Sequence, residues 1–173
     1  MHDTDAILAD LAREMAPHTM VDPAGLRFTW STALRLIERG VPGAFVECGT
    51  WFGGCAFGIA LAQLRVLGEV VRPVHMMDSF EGLSPATERD GPAALHYQAH
   101  PEDPHFLDNC RAPLDRVLAT RAALGLTEAE CPVVKGWFSD TVAPMAPVLG
   151  AAGGIAMLRV DCDWYEPVRT VLD

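Results

Sequence analysis

The stretch VECGTWFGG, Val46 to Gly54, decides how this chain folds. An apolar strand runs out through Glu47 into a glycine turn and then into a helix of small residues, the form of a nucleotide-cofactor loop. One helix length later a second apolar run, PVHMMDSFEG, ends on Asp78, followed by Ser79. An acidic side chain at that place can accept hydrogen bonds from two vicinal ribose hydroxyls. Glycine turn and acidic strand end together point to an adenosine cofactor. For the glycines alone, a tight strand-to-helix turn without a ligand is the plain alternative.

The spacing selects among adenosine cofactors. A dinucleotide site wants Gly-x-Gly-x-x-Gly, with the pyrophosphate on the helix N-terminus, whereas this loop reads Gly49, Thr50, Trp51, Phe52, Gly53, Gly54. That departure makes a nicotinamide-dependent oxidoreductase a weak reading. A P-loop needs a lysine after its last glycine, and neither the loop nor the following helix has one. What remains is a ligand whose charged end is an amino acid, with Glu47 near the ammonium and the N–H groups of the loop near the carboxylate. That ligand is S-adenosylmethionine.

Outward from this core, strands and helices alternate. Strands are expected at about Ala44–Cys48, Val74–Met77, Pro132–Lys135 and from Ile155, and helices at about 54–67, 114–124 and 141–149. Alternation of this kind implies an α/β fold with a parallel sheet and right-handed crossovers. Two helices, in DAILADLAREM and from about Leu26 to Arg39, form an N-terminal region over residues 1–42. Residues 82–113 are rich in Pro, Asp, Glu and His with no sustained period, and are expected to form a lid loop. The whole of 1–173 reads as one domain.

Ligands of open parallel sheets lie beyond the carboxyl ends of the strands. The third strand end supplies Gly136, Trp137, Phe138, Ser139 and Asp140. Trp137 and Phe138 offer flat faces to an adenine, or fill a core. Asp140 is either a polar adenine contact or the N-cap of a helix starting at Thr141. The fourth strand end supplies Asp161 and Asp163, which point the same way if strand geometry persists. Two such carboxylates suit Mg²⁺, and a metal-bound alcohol loses its proton readily. In the alternative, Asp161 alone faces the site and Asp163 caps the next helix. His96, His100 and His105 sit among prolines in the expected lid, where an exposed loop explains them better than a metal pair.

A formal net charge of −10 over 173 residues, with sparse lysine, argues against nucleic acid or an anionic membrane as partner. No run approaches a membrane span, and His2, Asp3 and Asp5 stand where a signal peptide would carry basic residues. The chain is expected to be cytoplasmic, with its five scattered cysteines as reduced thiols.

VECGTWFGG, MDSFEGL, KGWFSDT and LRVDCDWYE, in this order and spacing, resemble the macrocin O-methyltransferase family. The resemblance runs from about Leu26 to Asp173. It implies a Rossmann-like class I methyltransferase fold and Mg²⁺-dependent methylation, by S-adenosylmethionine, of a sugar hydroxyl on a bacterial natural product. It also implies roles: Asp161 as metal ligand and general base, Asp78 as ribose partner, and Glu47, Gly49 and Gly53 around the methionine end. The partner would be a small-molecule hydroxyl acceptor.

Family members continue through a further strand ending in an Asp-Asp pair and then complete a seven-stranded sheet. Here only strands in the order 3-2-1-4 are encoded. The chain is therefore expected to be a C-terminally truncated form or fragment with an open sheet edge, and self-association into a homo-oligomer is expected from that edge. A non-catalytic S-adenosylmethionine-binding module, completed by a partner chain, is the second reading.

Overall fold

A computed structural model describes residues 3–173; Met1 and His2, at the start of the expected helical region, lie outside the described residues. Asp3 caps α1 (Thr4–Met15) by accepting from the N–H groups of Asp5 and Ala6. Asp22 does the same for α2 (Pro23–Glu38) through Ala24 and Gly25. This helix starts three residues before the expected Leu26, because Asp-Pro is itself a start signal: a capping carboxylate followed by a residue whose φ is already helical.

Four parallel strands follow: β1 (Ala44–Cys48), β2 (Val74–Asp78), β3 (Val133–Lys135) and β4 (Ile155–Val160), in the spatial order β3-β2-β1-β4 expected from the sequence. Central β1 pairs Cys48 with Met77 of β2 on one side and with Val160 of β4 on the other. All the strand ends therefore finish at one edge. Between the strands lie α3 (Gly54–Leu67), α5 (Leu114–Ala123) and α6 (Phe138–Ala151), with α7 (Tyr165–Leu172) after β4.

Alternation along β1 divides the core, as a sheet buried on both faces requires. Phe45 packs with Leu8, Leu11, Met15, Trp30, Phe57 and Ile59 of α1–α3. Ala44, Val46 and Cys48 pack on the other side with Met145 and Leu149 of α6, and Val168 and Val171 of α7 lean on that second cluster. Among the described residues no helix is long and apolar enough to cross a membrane.

Two further expectations change. The segment 82–113 is not a simple loop: it holds a 3-10 turn at Glu88–Asp90, α4 (Gly91–Ala99) and a second 3-10 turn at Leu107–Cys110. Only Ala94 of α4 is buried, so this helix shows no apolar stripe to read. α6 begins at Phe138 instead of Thr141 and carries Pro144 and Pro147 inside it. α7, which the sequence reading did not delimit, makes two turns.

The packing of α2 on α3 depends on Gly58. Trp30 is wholly buried and donates from Nε1 to the carbonyl of Cys55 at 2.9 Å. A β-carbon at Gly58 would overlap the Trp30 ring. Gly58→Ala should gain about 1 kcal/mol of helix propensity and lose more to overpacking, roughly 1–3 kcal/mol or above. Urea unfolding should show a net destabilisation.

Candidate active site

The turn after β1 is built on two glycines in the left-handed region, Gly49 at φ 85° and Gly53 at φ 83°. At Gly49 a β-carbon would collide with the carbonyl oxygen of Asp161. The Gly49 N–H donates to Met77 O at 2.9 Å and the Asp161 N–H to Cys48 O at 2.8 Å, so the turn is threaded between the ends of β2 and β4.

Asp78 clamps this turn. Its Oδ2 accepts from the backbone N–H of Thr50 at 2.7 Å and of Trp51 at 3.0 Å, and its Oδ1 accepts from Phe80 N–H at 2.8 Å. Three of the roughly four lone-pair sites of a carboxylate are thereby engaged. Expected as a ribose partner, Asp78 lines the cleft but is first of all the anchor of the glycine loop. The clamp holds Trp51 (φ 49°) and Phe80 (φ 58°) in backbone conformations unusual for side-chain-bearing residues.

Glu47 is completely buried. Arg159 Nη1 donates to its Oε1 at 2.9 Å and also pairs with Asp161 Oδ2 at 2.8 Å. Burial pushes the Glu47 carboxyl up to about 7, against the pull of the guanidinium. Its second oxygen, Oε2, has no partner; nor have the buried Thr50 Oγ1 and Trp51 Nε1 beside it. Such groups each cost about 1–3 kcal/mol when left unpaired. Glu47, Thr50, Trp51 and Arg159 face a small cavity of about 40 Å³, closed by Thr19, Met20 and Val21 from the α1–α2 connection.

Alongside opens a cleft of about 380 Å³. Of the residues expected at the site, Gly49, Asp78, Ser79, Gly136, Trp137, Phe138, Asp161 and Asp163 line it. Four do not line it: Glu47 and Thr50 face the small cavity instead, and Gly53 and Asp140 face neither. Gly53 begins α3, facing Phe57 and Met76. Asp140 is exposed in the first turn of α6, where it accepts from Ser139 Oγ and is not the N-cap, since the helix starts earlier. Trp137 remains 38 % exposed at the cleft, whereas Phe138 also packs on the second core cluster.

Strand geometry stops at Val160, and Asp163 turns at φ 57°, so the expected strand-like alignment of Asp161 and Asp163 is not what brings both carboxylates to the cleft. Asp163 does not cap α7 either. Asp90, from the 3-10 turn before α4, accepts from Tyr165 N–H at 2.6 Å and takes that place. Partial desolvation, then the neighbouring Asp161 and Asp78 charges, hold the Asp163 carboxyl above its usual range. Among the described residues, no group of three or more His, Cys, Asp or Glu is arranged to hold a metal.

The 82–113 segment walls the cleft through Gly82, Leu83, Ser84 and Cys110. Gln98 donates to Ser84 O, Asn109 to Leu83 O, and Trp164 Nε1 to Ser84 O at 3.0 Å, tying the segment to the loop that carries Asp161 and Asp163. The His96 and His100 rings stack on one another and, like His105, lie outside the cleft. Sequence reasoning missed Arg159 and Asp90. The signal for Arg159 was present, a single cation inside the apolar run IAMLRVD; Asp90 had none.

Comparison with known proteins places this geometry. The profile of the Macrocin-O-methyltransferase (TylF) family matches residues 8–173. The chain is 34% identical over 156 residues to the 8-demethyl-8-(2,3-dimethoxy-alpha-L-rhamnosyl)-tetracenomycin-C 4'-O-methyltransferase of Streptomyces olivaceus, covering 90% of this chain and 56% of that protein. It is 29% identical over 178 residues to the Mycinamicin III 3''-O-methyltransferase of Micromonospora griseorubida, covering 98% and 66%. The chain thus spans about half to two thirds of these relatives. The solved structure of the O-methyltransferase NovP superposes with a TM-score of 0.77 at 25% identity, covering 98% of this chain and 77% of that one. The fold is that of the Rossmann-like methyltransferases.

Removing the clamp should loosen the turn selectively. Asp78→Ala is expected to cost about 2–3 kcal/mol, the range for hydrogen bonds to a charged group. Amide hydrogen exchange should accelerate at Thr50, Trp51 and Phe80 before it does in β1.

Proposed function

This chain belongs to the macrocin O-methyltransferase family, and on that premise we propose that it transfers a methyl group from S-adenosylmethionine to a hydroxyl of a small molecule, a sugar carried on a natural product. The observation that carries this reading is that three residues with unpartnered buried polar atoms, Glu47 (Oε2) at the end of β1 and Thr50 (Oγ1) and Trp51 (Nε1) in the turn after it, line one small cavity beside the cleft. A ligand with an ammonium and hydrogen-bonding groups satisfies them. The acceptor class is supported by the relatives, one named for a rhamnosyl tetracenomycin and one for mycinamicin III.

The residues present fit the cofactor. Glu47 and Thr50 would receive its amino-acid end, Asp78 and Ser79 its ribose, and Trp137 with Phe138 its adenine. When bound, it supplies an electrophilic methyl on a sulfonium. The chain's own part is to hold the acceptor oxygen in line with that methyl and to take its proton. Asp161 is the group for the proton: half exposed at the cleft, with Oδ2 steadied by Arg159. Asp161 would take the acceptor's proton as the acceptor oxygen gains the methyl, the spent cofactor leaving as S-adenosylhomocysteine. The wall made by 82–84 and Cys110 would exclude competing water.

Mg²⁺ belongs to the same proposal. Asp161 and Asp163 give an all-oxygen donor set of two carboxylates, which fits an ion that commonly takes one or two carboxylates and completes its shell with water and substrate oxygens. There it would lower the pKa of a bound hydroxyl. A second reading, a cofactor-binding module without catalysis, is favoured by one observation: the Arg159 guanidinium already holds Asp161.

Calorimetric titration with S-adenosylhomocysteine, with and without Mg²⁺, tests the proposal first. Micromolar binding is expected, and no binding by a chain that circular dichroism shows to be folded would remove the methyltransferase reading. Asp161→Asn should abolish methyl transfer to a glycosylated acceptor while leaving affinity for S-adenosylhomocysteine within a few fold. Undiminished turnover by that variant would sink the role of Asp161, and absence of turnover in the unaltered chain would favour the binding module.

A further inference from the structure

Arg159 is the one cation paired with Glu47 among the described residues, and its side chain is only 19% exposed. It leaves β4 between two carboxylates of unlike setting, one wholly buried and one half open to the cleft. With both carboxylates ionised, a single shared guanidinium leaves one net negative charge, so the cluster has room for a second cation. Arg159 occupies Glu47 Oε1, and Oε2 stays buried with no nitrogen or oxygen partner, the Cys55 thiol being the weak donor beside the carboxyl. Glu47 and Arg159 both line the small cavity beneath Gly49 and Thr50.

A carboxylate buried this deeply needs a counter-charge to remain ionised. The same Nη1 also pairs with Asp161 Oδ2, which holds the guanidinium at the cleft wall between the two carboxylates. We propose that Arg159 is a positioning residue, holding the Glu47 carboxylate in place to receive the ammonium of the cofactor's amino-acid end. This rests on the S-adenosylmethionine reading of the site and adds a residue to it. The opposite role is chemically possible for a cation in that place: a competitor that fills the ammonium's position and is displaced on binding. The two differ in sign.

The test is a double-mutant cycle read by calorimetric affinity for S-adenosylhomocysteine, in the full chain, for Arg159→Gln, Arg159→Lys, Glu47→Gln and the Arg159→Gln/Glu47→Gln pair. Removing one member of a buried charge pair should weaken binding about 30-fold or more. Arg159→Lys should recover part of the loss. The paired variant should bind no worse than Glu47→Gln alone, because the carboxylate to be positioned is already gone. Tighter or unchanged binding by Arg159→Gln overturns the proposal, as do losses that add in full. Should Arg159→Gln fail to fold, the lysine variant and the charge-free pair decide: no loss with lysine, or a pair weaker than Glu47→Gln, overturns it. Failure of the unaltered, folded chain to bind would instead remove the cofactor reading itself.

Discussion

The close approach of Gly49 to the backbone of Asp161 fixes the distance between the two halves of the site. The glycine loop after β1 and the acidic loop after β4 touch main chain to main chain, and hydrogen bonds from Gly49 to Met77 and from Asp161 to Cys48 lock the contact in register with the sheet. The groups proposed to serve cofactor and acceptor are thereby set by strand pairing and main-chain contact. Asp78 extends the same logic sideways, tying the turn to the end of β2.

On this rigid frame the electrostatics are lopsided. Asp78, Asp161 and Asp163 face the cleft, Glu47 lies beneath it, and Arg159 is the cation among them. An acidic cleft with one interior cation favours ligands that arrive with positive charge. The amino-acid and sulfonium ends of the proposed cofactor, and a divalent ion, all meet that condition.

How far the sequence could be read follows from what carries each feature. The sheet order, the glycine turn and eight of the cleft residues were legible because they rest on local signals: apolar runs of strand length, glycines before a small-residue helix, acids at strand ends. Asp78 was found by position, but its work as a clamp was not, since it depends on where the N–H groups of Thr50 and Trp51 turn after Gly49. α4 was hidden because it is held by polar contacts of Gln98 and its neighbours and buries only Ala94. Asp140 was misplaced because the helix begins at Phe138. Arg159 was passed over because an arginine in an apolar strand has meaning only when its partners, 112 and 2 positions away in the chain, are seen around it.

Trp51, Phe80 and Asp163 share one property: each carries a side chain on a backbone turned to positive φ, and each lies on or next to the cleft. Such conformations cost of order 1–3 kcal/mol apiece and persist only where the surroundings over-determine them. At Asp163, outside both core clusters, glycine or asparagine would relieve that strain, whereas at Phe80 and Trp51 the lost core packing would outweigh the relief. Breeding this protein for heat resistance alone would therefore find one easy gain at a carboxylate of the cleft.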